Sequence, residues 1–250
     1  MAGLSLISSY LSDSEDENED SEESKNTYLP LPESISSWQG VEHHPEIVDD
    51  PADHDGRSRS FKHERGNWAT LVYVDYVPSD SMRNWMKSLE SSLPMTGNTL
   101  FEQLHISLTR TLILKFHWIE SIMASIKELC QMTSRFILEL NEVKVYCNED
   151  RTRTFLGVSC RNNDGILKEF TEALNKILTE YELPPFYEDA SHHISFLWTL
   201  DDKEEQLKSL LSSMTRSLNE YLASSPEENS IMVNTVHCKV GNRLYTFQLK

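Results

Sequence analysis

From Asn67 onward the chain passes through two series of short strands and amphipathic helices, and its strand segments outnumber its helical ones. Asn67–Tyr76 (NWATLVYVDY) has the aromatic and β-branched content of a strand. Met82, Trp85, Met86, Leu89 and Leu93 follow at helical spacing, then a strand around Leu104–Thr111. The next helix has Trp118, Ile119, Ile122, Met123, Ile126 and Leu129 on its apolar face, and strands are expected near Phe136–Tyr146 and Thr152–Arg161. The second series opens with a helix through Ile166, Leu167, Phe170, Leu174, Ile177 and Leu178 and continues with a strand at His193–Thr199. A helix carrying Leu207, Leu210, Leu211, Met214 and Leu218 comes next, and strands at Ile231–Val240 and Leu244–Leu249 close the chain. Parallel neighbours need a crossover between them, and several of these strands adjoin directly. The pattern therefore favours an α+β fold with antiparallel sheets over a doubly wound one.

Charge divides the 250 residues unevenly. Residues 1–56 hold 15 acids against Lys25 alone, and residues 57–250 hold 25 acids against 22 bases, so −14 of the net −17 belongs to the first segment. Ser12 to Ser24 (SDSEDENEDSEES) has eight acids and no apolar side chain; it repels itself and has nothing to bury. Pro30, Pro32, Pro45 and Pro51 punctuate a stretch without a sustained period, which reads as linker. The expected organisation is a disordered acidic tail and linker over 1–56 and one folded domain of two lobes over 57–250. The near-neutral domain leaves a nucleic acid open as partner, although a clamp on long duplexes would show a basic excess.

Cys130, Cys147, Cys160 and Cys238 are separated by 17, 13 and 78 residues, so no Cys-x-x-Cys pair exists for a zinc ribbon or a redox site. The N-terminus shows no basic stretch followed by an apolar one, and no apolar run approaches the roughly 18 residues of a membrane span. Reduced thiols in a cytosolic or nuclear protein, with no membrane partner, are the expectation.

Two strings in the strands carry chemistry: Leu104-His105-Ile106-Ser107-Leu108 and His192-His193-Ile194-Ser195-Phe196. They lie 88 residues apart, close to half of the folded length, as a duplicated lobe would place them. Side chains at i and i+2 share a face of a strand. Leu104, Ile106 and Leu108 thus point one way while His105, Ser107 and Thr109 point the other. In the second string Ile194, Phe196 and Trp198 form the apolar face, joined by His192, and His193 and Ser195 lie opposite. A single strand histidine is ordinarily structural; two in matched contexts, each with its serine, would bring two imidazoles and two hydroxyls to one groove if the two lobes face each other. Imidazoles with a pKa near 6.5 can supply one base and one acid at neutral pH. Paired hydroxyls can donate to the non-bridging oxygens of a phosphate as charge builds there. No carboxylate cluster, His-x-His or His-x-x-x-His accompanies them, so neither a metal nor another cofactor is expected.

At these residues the sequence resembles the two-histidine (2H) phosphoesterase superfamily, and within it the branch that trims the 3′ end of U6 snRNA. Arg59–Val74 (RSFKHERGNWATLVYV), Leu104–Leu108, Val143–Gly157 (VKVYCNEDRTRTFLG), Phe186–Ser195 (FYEDASHHIS) and Cys238–Arg243 (CKVGNR) carry the resemblance. It covers residues 57–250 and none of the acidic tail. The resemblance implies a bilobal fold, with two pseudo-symmetric lobes of antiparallel sheet and flanking helices around a central groove. It also implies a nuclear, monomeric 3′→5′ RNA exonuclease acting on the oligo(U) end of U6 snRNA. That enzyme would work without metal, by transesterification that leaves a 2′,3′-cyclic phosphate, formally a lyase step. On the same ground His105 and His193 match the catalytic pair, with His105 as base and His193 as acid. Ser107 and Ser195 match the phosphate-binding serines, flanked by Ile106 and Ile194. Tyr187 matches an aromatic that stacks on a terminal base, Glu149 a polar contact to the nucleotide, and Ser191 a substrate contact in the loop before the second motif. Arg151 and Arg153 either are solvated or guide the phosphate backbone. His117, His192 and His237 read as structural. Rival activities are the opening of small cyclic phosphates, work on tRNA splicing ends, or RNA binding without catalysis.

Overall fold

The computed structural model describes residues 32–33, 61, 64–95, 99–187 and 191–250. The segment assigned to tail and linker lies outside the described residues apart from Pro32 and Glu33, and so does His63. The chain divides into two units, Met1–Glu46 and Ile47–Lys250, and every element named here belongs to the second.

Strand β1 (Asn67–Tyr76) alternates as its sequence dictates: Val72, Val74 and Tyr76 are buried, while Tyr73 is half-buried and Asp75 exposed on the other face. Ser79 then caps α1 (Asp80–Ser92), its hydroxyl accepting from the Met82 N–H that the first helical turn leaves without a partner. Met82, Trp85, Met86 and Leu89 are buried at the expected spacing. Two strands the periodicity does not announce appear next, β2 (Thr99–Leu100) and β4 (Leu112–Lys115), on either side of β3 (Leu104–Ser107). The strand expected around Leu104–Thr111 ends at Ser107 because Val72 captures the chain: its carbonyl accepts from Leu108 N–H (2.8 Å) and its N–H donates to Thr109 Oγ1 (3.1 Å). Thr109 is thereby buried instead of standing in line with His105 and Ser107. The chain runs on along β1 with a shifted register, so β3 pairs with the second half of β1 and β4 with the first.

The chain continues through α2 (Ile119–Met132), β5 (Phe136–Cys147), β6 (Arg153–Arg161), α3 (Ile166–Thr179) and β7 (His193–Leu200). The single helix expected at Leu207–Leu218 is two, α4 (Glu204–Lys208) and α5 (Leu211–Ser224). An i→i−3 bond from Leu210 N–H to the Leu207 carbonyl (2.9 Å) tightens the turn between them. The strand expected over Ile231–Val240 is likewise two, β8 (Ser230–Val233) and β9 (Thr235–Val240), before β10 (Arg243–Gln248). Asn234 separates them, its carbonyl taken by Leu249 N–H at 2.8 Å.

All pairings among the described strands are antiparallel, in one sheet of order β10-β9-β1-β3-β7-β6-β5-β8, with β4 beside β1 and β2 beside β7. β8 and β9 are one residue apart in the chain yet lie near opposite ends of that path, so the sheet must curve back on itself. The path divides into equal halves at β3–β7, where Ile106 faces Ile194. Helices pair to match: Trp85 of α1 stacks on Tyr221 of α5, and Trp118, just before α2, meets Tyr181, just after α3. One hydrophobic core includes both halves, with Ile106, Phe136, Phe170 and Phe196 fully buried in it. The α+β fold of two matched halves with antiparallel strands agrees with the sequence-based expectation. A register shift between Leu156 and Gly157 on β6 leaves Phe196 of β7 without an opposite number. The alternation slips there, and Leu197 rather than Trp198 joins the core beside Phe196. Among the described residues no helix is long and apolar enough to cross a membrane.

Candidate active site

In an antiparallel pair, residues flanking a directly opposed couple face each other crosswise. With Ile106 opposite Ile194, His105 lies beside Ser195 and Ser107 beside His193. All four are half-buried on the face opposite the core. Each imidazole therefore has a hydroxyl from the other motif for a neighbour, and the two motifs form one site about a local two-fold axis. Ile106 and Ile194 are 0% and 1% exposed and belong to the core, so they offer a substrate backbone groups only.

The histidines have different surroundings. His193 lies flat on Tyr146, ring centroids 3.7 Å apart and planes at 14°. Its Nδ1 is 2.6 Å from the Ser191 carbonyl. A carbonyl only accepts, so Nδ1 carries the hydrogen and Nε2 is left for chemistry. Ser191, matched by resemblance to a substrate contact, thus supports His193, and its hydroxyl is engaged by Tyr146 Oη at 2.9 Å. His105 meets the ring of Tyr73 edge-on at 5.4 Å and 64°, and Tyr73 stacks in turn on His237 at 5.5 Å. Asp75 stands opposite His105 across β1–β3. His237, read as structural from sequence, shares the site's face through Tyr73, and its Nδ1 lies 3.0 Å from Thr246 Oγ1. His192 is buried on the other face as alternation requires, stacked on Phe186 at 5.2 Å with Nδ1 3.3 Å from the Ser107 carbonyl. His117 is exposed beside Trp118.

Burial lowers the pKa of His105, of His192 and of His193, because an imidazolium loses hydration there. Asp75 opposes the shift at His105, as the Ser107 carbonyl does at His192 and the Ser191 carbonyl at His193, whereas His192 and His105 reinforce it at His193. A histidine whose folded pKa lies below its unfolded value of about 6.5 takes up more protons unfolded than folded. Its share of stability is complete above about pH 6.5 and declines as pH falls from there through the folded value. Urea midpoints should accordingly drop between pH 7.5 and pH 5. Replacing His105 and His193 together by Gln should make that slope shallower; an unchanged slope would contradict these shifts.

Tyr187 and Glu149, 38 residues apart, do come together, with Arg110 between them. The Arg110 guanidinium covers one face of the Tyr187 ring at 3.8 Å, and its Nη1 bonds Glu149 Oε1 at 2.6 Å. Tyr187 Oη reaches the same carboxylate oxygen at 3.5 Å. Arg110 thus balances the charge of Glu149, so this carboxylate can stand near RNA phosphates. Tyr187 remains 45% exposed, so its ring still has surface for a base. Arg151 is engaged by two carboxylates, bonding Asp202 at 2.7 Å and also Glu204. Arg153 stands over the Phe155 ring at 5.6 Å.

Sequence reasoning missed Arg110, Tyr146, Tyr73, Asp75 and Gly157. Tyr73 and Asp75 had a signal, since they alternate with Val72 and Val74 on β1. Tyr146 and Gly157 had none beyond their place in a quoted string, and Arg110 had none, because their partners lie in distant segments of the chain.

The family model HVSL, described as an uncharacterised conserved protein, matches residues 29–248. The relatives named U6 snRNA phosphodiesterase 1 include that of Xenopus laevis, 33% identical over 251 residues that cover 98% of this chain and 100% of that protein. That of Drosophila melanogaster is 35% identical over 213 residues, covering 82% and 79% respectively. That of Mus musculus is 32% identical over 225 residues, covering 89% and 84%. Among solved structures, Usb1 of Kluyveromyces marxianus aligns with a TM-score of 0.51 at 18% identity, over 72% of this chain and 98% of that one, a likeness of fold. With matched halves, a crosswise His/Ser site and these relatives over nearly its whole length, the chain belongs to the U6 snRNA phosphodiesterase (HVSL) family.

Proposed function

We propose that this chain is a 3′→5′ RNA exonuclease that trims the oligo(U) 3′ end of U6 snRNA in the nucleus. The observation that carries the reading is the crosswise placement of two imidazoles and two hydroxyls on one face of β3–β7. His105, kept neutral by burial, accepts the proton of the penultimate ribose 2′-hydroxyl. The 2′-oxygen forms its bond to the adjacent phosphorus as the bond from phosphorus to the terminal 5′-oxygen breaks. His193, held at Nδ1 by the Ser191 carbonyl, donates the proton from Nε2 to that leaving oxygen. The products are an RNA ending in a 2′,3′-cyclic phosphate and a free nucleoside, and Ser107 and Ser195 donate to the non-bridging oxygens throughout. The departing base rests on Tyr187. One chain supplies both halves of the site, so a monomer suffices.

Neither proton transfer calls for a Lewis acid. Among the described residues one group, Cys147, Asp202 and Glu204, brings possible metal ligands together, and Arg151 already bonds both of its carboxylates. Trimming is expected to persist in excess EDTA; loss that added metal restores would contradict the mechanism. Incubation with a 3′-oligouridylated RNA and analysis of the new end tests the activity itself. Stepwise shortening with cyclic phosphate ends is expected, and an intact 3′ end would overturn the reading.

A further inference from the structure

Three residues that take no part in the proton transfers surround the imidazole of His193. Tyr146 covers one face at 3.7 Å, nearly parallel, and the Ser191 carbonyl takes Nδ1–H at 2.6 Å. The Tyr146 and Ser191 hydroxyls are 2.9 Å apart, so the stacking ring also tethers the residue whose carbonyl orients the histidine. Burial pushes the Tyr146 phenol up to about 12, so it keeps its hydrogen for this bond at any working pH. Gly157, beside Ser195 on the neighbouring strand, leaves the space. A Cβ there would stand 3.0 Å from the Ile194 carbonyl oxygen, 3.1 Å from Tyr146 Cε2 and 3.2 Å from His193 Cδ2. The first of those neighbours is backbone in the centre of the sheet and has little freedom to give way. By contrast, Tyr73 meets His105 only edge-on at 5.4 Å.

We infer that Tyr146, Ser191 and Gly157 form a positioning cradle that fixes the His193 tautomer and aims Nε2 at the reacting phosphate. The inference rests on the reading of His193 as a proton-transfer residue. A neutral imidazole in water exchanges its hydrogen between the two nitrogens, and a second hydrogen-bonded partner selects one of them. The bond to Ser191 makes that selection, and the Tyr146 ring resists the tilt that would break it. Gly157 is what allows both rings to lie this close. Ser191 acts here through its carbonyl and through Tyr146 rather than by touching the nucleotide.

The test uses the full chain with Tyr146→Leu, Tyr146→Phe and Gly157→Ala. Its readouts are kcat and KM on a 3′-oligouridylated RNA, the pH–rate profile, and the His193 tautomer by side-chain nitrogen NMR. Tyr146→Leu should lower kcat by about 10–100-fold with KM nearly unchanged, the range for losing a group that orients a functional histidine. It should also raise the fraction of Nε2–H tautomer. The pH–rate limb that follows His193 should move up as burial is relieved, while His105 and His192, the titratable groups that also act on His193, stay in place. Gly157→Ala should act in the same direction. Tyr146→Phe keeps the stack and loses the tether, and should lower kcat by about fivefold. A folded Tyr146→Leu protein with the wild-type tautomer and an unmoved limb would overturn the cradle, whatever its rate. If that variant fails to fold, Tyr146→Phe with wild-type kcat and tautomer would overturn it instead. A wild-type chain that trims no RNA would overturn the role of His193, and the NMR signature would still decide whether the cradle exists.

Discussion

Alanine in place of either His105 or His193 is expected to lower trimming by about 10²–10⁴-fold, the usual range for a positioned acid or base. Replacing both should cost little more, because two groups that act in one transition state fail together. The crosswise register extends the same logic to the hydroxyls. Ser107 and Ser195 each stand beside the other motif's imidazole, where a phosphate held between the histidines would meet both. Removing one such donor is expected to lower the rate by about 10²-fold. His117→Gln is a suitable control, since His117 is exposed on the turn before α2 and the site draws nothing from it. Rates should be compared at a pH where each variant is fully folded. His105→Ala and His193→Ala proteins that retain near-wild-type trimming would remove the pair from the mechanism. Strictly additive losses in the double variant would show that the two act independently.

The sequence reveals the site's ingredients more readily than their arrangement. A period of two is local, so Ile106 and Ile194 identify their own buried faces, and His105 and His193 their open ones, without knowledge of any partner strand. Which serine stands beside which histidine depends on the register of β3 against β7, a pairing across 88 residues that no local pattern encodes. Long-range partners hide Arg110 for the same reason. It follows a strand as an ordinary polar residue, and only the fold brings Glu149 and Tyr187 to it. Errors in the strand map have comparable causes. Ile231 to Val240 reads as one strand because no Gly or Pro interrupts it, yet β8 takes β5 as its partner and β9 takes β1. The bulge at Phe196 shifts the faces of β7 after Ser195, so Trp198, although buried, lies on the face opposite the one that alternation alone gives it. Resemblance places Ser191 in the loop before the second motif, and only the fold brings its carbonyl to His193 Nδ1.

An RNA with a single 2′-deoxy sugar at its penultimate position is expected to resist removal of the last nucleotide. In this mechanism the nucleophile is the 2′-hydroxyl of that sugar, already next to the phosphorus and needing only a base. Such proximity can contribute on the order of 7–11 kcal/mol in an optimal geometry, and deleting one oxygen removes it. Water would have to be bound and activated in its place, and in this mechanism His105, Ser107, His193 and Ser195 would already be engaged by the phosphate and its proton transfers. The same substitution in the terminal sugar should be tolerated, because that nucleoside only leaves. Single-turnover trimming of these two RNAs and their all-ribose parent, with the new ends identified, shows which oxygen is the nucleophile. A block confined to the penultimate-deoxy RNA is expected, with cyclic phosphate ends on the other two. Comparable trimming of the penultimate-deoxy RNA would make water the nucleophile and contradict the mechanism, even with both histidines essential.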